Sequence, residues 1–522
     1  MTSNKLTEKQ KKHQQITLLF ATFVIAICGL IYELLLGTLS SYLLGDSVYQ
    51  FSLVIGLFMS SMGIGAWLSR FIQKELPKQF IRLQLLIGLL GGISAPLLFF
   101  AFAILGNYTP LLFIVIILLG SMLGIEIPVV IRILKVHFSL KTNVSNVFTA
   151  DYIGALIAAL LFPLVLVPQL GLLQSGFLIG IFNTGIGLLA LYVFRTEIPR
   201  ILQLVSSGTL LLVALIFGFI FSSSFISNME SRLYQDKVIY AEDSTFQQRL
   251  ALTRRDNRVR FYINGALQFD SFDEYRYHEA LVHPTMGLVN HAENILILGG
   301  GDGLAARELL HYPSIKKITL VDLDPSVTQL FKNKPLLQSI NKNSLNDPRV
   351  EVINQDAWKF LETRQQLYDV IFIDLPDPNN ISLSRLYSTV FYQLVKQHLS
   401  QAGVMVTQAT SPLYSHKAFW CIETTLQQAT INGENQQKWY TLPYHLHIPS
   451  FGEWGFVMTA RHTLQVDDIK LLNKEYRFLN KAALPQLFQF PADMKKVPVE
   501  VNQLSTHPLL RYYQAGWNKW YK

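Results

Sequence analysis

Residues 294–312 read NILILGGGDGLAARELLHY, and the order of residue types in them decides the fold of the second half of the chain. Ile295 to Leu298 make a short unbroken apolar run, as a strand buried on both faces requires. Glycines at 299, 300, 301 and 303 follow as a tight turn, and Leu304 to Tyr312 then has helical spacing. A second strand, KKITLVDLD at 316–324, carries an acid, Asp322, about 20 residues past Asp302. This is the start of a doubly wound α/β sheet, Rossmann-like and of the methyltransferase type, in which ligands sit at the carboxyl ends of the strands. A Gly-rich turn alone fits a plain strand-to-helix turn as well as a nucleotide loop, so the remaining strands carry the argument.

The strand VEVINQDAWKF (350–360) delivers Asp356 to the same edge, and YDVIFIDLPDP (368–378) delivers Asp374 and Asp377. Acids at 302, 322, 356, 374 and 377 then surround one crevice, which suits a cation and repels a phosphate. NAD and ATP are disfavoured, and a sulfonium nucleoside is favoured: S-adenosylmethionine or its decarboxylated form. Gly299 and Gly301 let the backbone pass close to the nucleoside, Asp322 takes ribose hydroxyls, and Asp356 takes the exocyclic amine of adenine. Asp374 and Asp377 suit an amine nucleophile, because they hold ammonium groups and one of them accepts the proton that leaves before attack. The bland reading of that pair is an Asp-Pro turn with solvated carboxylates.

Working back along the chain, residues 237–270 alternate apolar and polar side chains and turn at RRDN (254–257) and NG (264–265), as hairpins do. The expected organisation is a multi-pass membrane domain over 1–221, a linker and small β domain over 222–290, the Rossmann-like domain over 291–460 and a C-terminal extension over 461–522. The membrane reading starts from composition: only 15% of residues are charged, against roughly 25% in soluble domains. Seven apolar stretches (16–36, 50–69, 83–105, 111–131, 147–167, 174–194 and 201–221) each reach the length of about 20 residues that a bilayer core requires. The expectation is a seven-pass α-helical domain in the cell membrane.

The formal charge of +8 is concentrated there, with thirteen basic and seven acidic residues through position 221, so it signals orientation and not a nucleic-acid groove. Lys and Arg fill alternate loops only, which places the amino terminus in the cytoplasm and, after seven crossings, the rest of the chain outside. A re-entrant segment at 111–134, where Glu126 and Pro128 interrupt the apolar run, would return it to the cytoplasm, where a sulfonium donor is made. Glu33, Glu126 and Asp151 lie in or at the ends of apolar stretches. They read as a cation path or as acids hydrogen-bonded at helix ends. Cys28 and Cys421 are too few and too far apart for a disulfide framework or a Cys-rich metal site.

Several ordered motifs resemble the spermidine synthases, the polyamine aminopropyltransferases: Gly299 to Gly303 with Arg307 and Glu308, Asp-Pro-Arg at 347–349, and DLPDP at 374–378. To these add Phe246-Gln247, YINGALQFDSFDEYRYHE at 262–279, LYSTVFY at 386–392 and GEWGF at 452–456, so the resemblance spans residues 236–460. The apolar first half resembles the membrane-embedded branch of that family. The resemblance implies decarboxylated S-adenosylmethionine as co-substrate, putrescine as acceptor, no metal, no prosthetic group and a homo-oligomer. It implies Asp374 as proton acceptor, Gln247, Asp322, Asp356 and Ala357 on the nucleoside side, and His278, Asp302 and Asp377 on the amine side. A lone His278 would otherwise read as a core histidine. Asp322 stands where the family has Glu, Ala357 where it has Gly, Leu375 and Pro376 where it has small polar residues, and Ile381 where a proline is usual. HIPSFGEWGF (447–456) lacks a tyrosine that helps position the diamine in soluble members, and Phe451 brings no hydroxyl. Two other functions fit the same residues: a methyltransferase acting on a small amine or lipid headgroup, and a polyamine transporter or sensor in which the sheet domain only binds.

Overall fold

The computed structural model describes residues 8–44, 47–105, 108–135, 140–198, 201–234, 236–244, 248–430 and 439–520. The chain forms two compact units, Met1–Asp243 and Ser244–Lys522.

The first unit is built from helices α1 (Glu8–Leu44), α2 (Ser47–Leu68), α3 (Leu76–Leu105), α4 (Thr109–Lys135), α5 (Leu140–Leu161), α6 (Val167–Val193) and α7 (Ile201–Leu233), followed by strand β1 (Lys237–Asp243). Six apolar helices among the described residues are long enough to cross a membrane, not seven, because the fifth and sixth expected stretches fall in one helix, Val144–Val193. The sequence between them, FPLVLVPQLG, contains no polar loop to end a helix. Pro163 and Pro168 remove two amide donors, and the chain passes from α5 to α6 through a π-helical turn at Phe162–Leu166. It leaves helical geometry only at Gly171 (φ 69°, ψ −178°), a conformation open essentially to glycine. Helix α4 runs unbroken through Glu126 and Pro128, so the segment proposed as re-entrant is a helix of full spanning length.

Small residues bring these helices together. A Cβ at Gly124 of α4 would lie 2.1 Å from the Met62 carbonyl oxygen of α2; the two backbones touch, which a larger side chain would forbid. Arg132 near the end of α4 donates to the carbonyls of Pro128, Ser69 and Ile72, tying α4 to the turn that follows α2. A cavity of about 160 Å³ is lined by residues of α1, α2, α4 and α5, among them Glu33, Phe58, Glu126 and Asp151. Gln84 of α3 donates to Glu126 Oε1 at 2.5 Å and is itself held through its Oε1 by Asn183 Nδ2 at 2.9 Å. Cys28 and Cys421 are both free and buried.

The second unit opens with an antiparallel meander, β2 (Arg249–Arg255), β3 (Arg258–Ile263) and β4 (Ala266–Asp270). Its turns fall at Asp256-Asn257 and Asn264-Gly265, where the sequence placed them. Asn264 (φ 50°) and Gly265 (φ 78°) take the positive φ values of a hairpin turn twisted to match the strands. After α8 (Glu274–Met286) come β5 (Asn294–Gly299), α9 (Leu304–Leu309), β6 (Lys317–Asp322), α10 (Pro325–Asn333), α11 (Pro335–Asn341), β7 (Val350–Asn354), α12 (Ala357–Thr363), β8 (Tyr368–Asp374), α13 (Ile381–Ser384), α14 (Thr389–Gln397), β9 (Leu399–Gln408), α15 (His416–Gln428), β10 (Tyr440–Ile448), β11 (Gly452–Ala460) and α16 (Pro508–Trp517).

The seven strands β5–β11 form one sheet in the order β10-β11-β9-β8-β5-β6-β7. The five strands β5–β9 are parallel, and β10 and β11 add an antiparallel hairpin at one edge, so the expected doubly wound sheet is present but mixed. Ile295 to Leu298 of β5 are completely buried, as a central strand covered on both faces must be. The strand order reverses between β5 and β8, and ligand crevices form at such reversals.

Candidate active site

The turn after β5 is shaped by what lies against it. Gly299 pairs in register with Asp374, and at φ 88° a Cβ on it would sit 2.0 Å from the Asp374 carbonyl oxygen. Gly301 donates its amide to Asp322 Oδ2 at 3.0 Å, while Asp322 Oδ1 takes the Asp324 amide at 2.9 Å. Both carboxylate oxygens are therefore oriented before any ligand arrives. Burial nonetheless pushes Asp322 up to about 6, with the two amide bonds pulling the other way. Asp356 follows β7 and caps α12, its Oδ1 accepting from the Lys359 amide at 3.1 Å and its Oδ2 from Arg385 Nη2 at 2.7 Å. Ala357 is the buried first residue of α12. Gln247 lies outside the described residues.

The amine-side candidates form a second group. His278 on α8 is 3% exposed and binds Glu274 through Nδ1, at 2.8 Å to its carbonyl and 2.9 Å to Oε2. Glu274 in turn receives Arg307 in a two-pronged contact, Nη1 to Oε1 at 2.8 Å and Nη2 to Oε2 at 2.9 Å. Burial opposes the Glu274 charge, yet His278 and Arg307 hold its carboxyl down near 2. Burial likewise opposes charge on His278, but Glu274, Asp302 and Asp374 outweigh it and raise its pKa. Asp302 is pushed up to about 6 by burial and by Asp374, against the pull of His278. Asp374 is raised by burial, with His278 and the Tyr277 hydroxyl acting in the opposite sense. Its Oδ1 accepts from Tyr277 Oη at 2.5 Å.

Asp377 is bounded by three polar side chains from two segments. Oδ2 accepts from Tyr513 Oη at 3.0 Å and Thr410 Oγ1 at 3.3 Å, and Oδ1 from Gln408 Nε2 at 3.3 Å. Burial pushes Asp377 up to about 6 despite those bonds. Thr410 itself is held at φ 54°, a costly conformation for a β-branched residue and one that clusters at functional sites.

The structure thus brings His278, Asp302, Asp374 and Asp377 together with Asp322 at the ends of β5, β6 and β8, and sets Asp356 one strand further along. Sequence reasoning missed Tyr277, Thr410, Gln408, Tyr513 and Arg385. Tyr277 was within reach, as the neighbour of His278 in the YHE triplet. The others are joined to the acids only by tertiary packing, and no spacing announces them.

Residues 274–468 match the spermine/spermidine synthase domain. The polyamine aminopropyltransferase of Leptospira interrogans is 43% identical over 97% of this chain and 99% of its own length. The polyamine aminopropyltransferase of Oceanobacillus iheyensis is 40% identical over 95% and 96%. The spermidine synthase structure from Thermotoga maritima is 26% identical, covers 49% of this chain and 84% of its own, and superposes with a TM-score of 0.43. With whole-length identity of this order, helical first unit included, the chain belongs to the polyamine aminopropyltransferases of the spermidine synthase family.

Proposed function

We propose that the enzyme transfers the aminopropyl group of decarboxylated S-adenosylmethionine to putrescine, giving spermidine and methylthioadenosine. The family uses decarboxylated S-adenosylmethionine as its donor. The observation that carries the reading is Asp374: a carboxylate of raised pKa at the end of β8, fixed by Tyr277, beside a second acid and a histidine. An amine in water is protonated and cannot attack. Asp374 takes one proton from the acceptor ammonium, and the freed lone pair attacks the aminopropyl carbon bonded to sulfur. The carbon–sulfur bond breaks with its electrons going to sulfur, so the sulfonium becomes a neutral thioether. The crevice supplies alignment and electrostatics. Gly299 and Gly301 with Asp322, Asp356 and Ala357 hold the nucleoside, and Gln247 joins them by its place in the sequence motif. His278, Asp302 and Asp377 hold the amines.

Donor preference tests this reading against methyl transfer. Intact S-adenosylmethionine carries a carboxylate that would face Asp302 and Asp374, whereas the decarboxylated donor brings only positive charge there. Calorimetric titration is expected to give tighter binding of the decarboxylated donor. Tighter binding of the intact molecule would assign the site to a methyltransferase.

For the helical unit we infer a multi-pass position in the cell membrane. The helix Val144–Val193 is 50 residues long, more than twice what a bilayer core needs, and on this reading it turns at Gly171 and crosses twice. Seven crossings then place the second unit on the side opposite the cytoplasmic amino terminus. Phosphatase and fluorescent-protein reporters fused after Lys522 check it, with phosphatase activity expected and fluorescence alone reversing the assignment.

A second role, polyamine binding or passage through the bundle, is favoured by the cavity lined by Glu33, Glu126 and Asp151. No basic side chain lines it, and no cluster suited to a metal ion occurs among the described residues. Spaced carboxylates with apolar walls between them suit a flexible cation with spaced ammonium groups. Proteoliposomes are expected to take up labelled spermidine and to lose uptake on Glu33→Gln. Absence of uptake in both forms would leave the bundle as an anchor.

A further inference from the structure

The histidine on the amine side is one end of a chain of charged groups. Glu274 and His278 lie four residues apart on α8, so their side chains meet on one face of the helix, and Glu274 is gripped in turn by Arg307 of α9. We propose that Glu274 is a positioning residue for the transfer: its carboxylate, anchored by Arg307, fixes the His278 imidazole with the proton on Nδ1 and makes Nε2 a strong acceptor for an N–H of the acceptor amine. The proposal rests on the aminopropyl-transfer reading given above.

The tautomer follows from what surrounds Nδ1. It meets two groups of Glu274, the main-chain carbonyl at 2.8 Å and Oε2 at 2.9 Å. A carbonyl can only accept, and so can a carboxylate whose pKa is lowered to about 2. Nδ1 therefore carries hydrogen in either charge state of the ring, and the proton that comes and goes is the one on Nε2. Both side chains are only 4% exposed, so little solvent screens the carboxylate from the ring. A buried carboxylate on one imidazole nitrogen orients the ring and makes the other nitrogen more basic.

Arg307 keeps the carboxylate from turning away. Its Nη1 and Nη2 take one oxygen each, and Oε2 is shared with the ring. The guanidinium is itself held by Glu308 Oε1 at 2.9 Å and by the Ile340 carbonyl at 3.0 Å. Helix α8 is fixed as well. Glu279 takes the amides of Arg477, Phe478 and Leu479 at 2.9, 2.9 and 3.0 Å, and Tyr444 donates its hydroxyl to the Ala280 carbonyl at 2.9 Å. Apart from Glu274, Asp302 in the turn after β5 and Asp374 at the end of β8 act on the His278 ring. Its edge meets the ring of Tyr277, with centres 5.0 Å apart, and the Tyr277 hydroxyl lies on Asp374. An ammonium drawn in by the two acids finds a lone pair on Nε2 once the ring is neutral.

Nitrogen-15 NMR of the histidine-labelled full-length enzyme in detergent tests the tautomer, with His278→Gln identifying the resonance. Above its titration midpoint, His278 of the wild type is expected to carry its proton on Nδ1; a proton on Nε2 overturns the proposal. Glu274→Gln keeps the side-chain shape and the carbonyl contact and removes the charge. It should lower the His278 midpoint by about one pH unit or more, the effect of removing an opposite charge at this range. Steady-state kinetics above both midpoints, with decarboxylated donor and putrescine or 1,3-diaminopropane, should show the acceptor KM raised about tenfold, as weakening a hydrogen bond to a charged group implies. Donor affinity by calorimetry should stay near wild type. An unchanged midpoint or an unchanged acceptor KM overturns the proposal. So does an equal loss of donor affinity, which would mark Glu274 as a support of the fold alone. Glu274→Gln combined with Arg307→Met also removes the guanidinium that the single variant leaves short of a partner. On this proposal the pair gives the same midpoint and KM as Glu274→Gln, and a return to wild-type values overturns it. If wild-type enzyme turns over neither diamine, the aminopropyl-transfer reading fails; if it turns them over and Glu274→Gln does so with the same KM, only the role of Glu274 fails.

Discussion

Asp374→Asn is expected to lower turnover by about a hundredfold to ten-thousandfold, the usual range for removing a positioned proton acceptor, with donor affinity nearly unchanged. The substitution keeps size and keeps an oxygen for the Tyr277 hydroxyl, so the fold at the end of β8 is preserved. On the proposed mechanism it removes the group that takes the proton from the acceptor ammonium, and the neighbouring acid and histidine are each already held through one atom. Asp302 is engaged with the Leu304 amide and His278 with Glu274. Single-turnover measurements at saturating donor and acceptor separate this from a binding defect. Equal rates in the variant and wild type would remove Asp374 from the mechanism. A full rate restored only at high pH would show that the acceptor merely needs to lose its proton, to whatever base is present.

Arg307→Ala is expected to cost the second unit about 3–5 kcal/mol, the range for stranding one member of a buried ion pair. Glu274 and Arg307 have side chains 4% and 11% exposed, and the guanidinium also binds the Ile340 carbonyl and Glu308. Its removal leaves Glu274 with only the His278 ring as partner and places a desolvated negative charge beside α9. Denaturant unfolding in detergent, followed by tryptophan fluorescence, should show the second unit's transition moved to markedly lower denaturant. Pairing Arg307→Met with Glu274→Gln should recover much of the loss, since the stranded charge is then gone. An unchanged transition in the single variant would mean that water reaches Glu274 freely and that the pair contributes nothing.

The strand-end acids were legible because the apolar patterning of the strands fixes where each one ends. A central buried strand must be a continuous apolar run, and the residue that ends it must sit at the sheet edge where ligands bind, so Asp322 and Asp374 follow from runs of Ile, Val and Leu, while Asp356 lies two residues past the end of the alternating strand VEVIN. Their partners were not legible, because Arg385 on Asp356 and Tyr513 on Asp377 are brought in by packing between segments 29 and 136 residues apart. The antiparallel edge β10–β11 was unread for a related reason. Its nine-residue strands are half-buried in an irregular pattern, so they lack both the clean alternation of a one-faced strand and the solid apolar run of a central one. In the first unit hydropathy found every apolar segment, but the fifth and sixth run together as one span, Val144–Val193, because Pro163 and Pro168 interrupt the helix without a polar loop to mark a boundary. Even there Gly171 was visible in the sequence; what was not visible is that it alone would carry the break in geometry.

Asp302, Asp322 and Asp377, each pushed by burial to about 6, give the site a proton economy of its own. An unfolded aspartate titrates near 4. A folded-state pKa above that value contributes stability that is fully present below about pH 4 and lost as pH rises through about 6. Near neutrality the crevice therefore holds desolvated carboxylates that oppose folding. A sulfonium or ammonium that settles among them returns their pKa values toward the ordinary range and, around pH 6, drives protons into solution. On the proposed site, substrate capture is then an exchange of cations, protons leaving as organic cations enter, and acidification is expected to compete with both substrates at once.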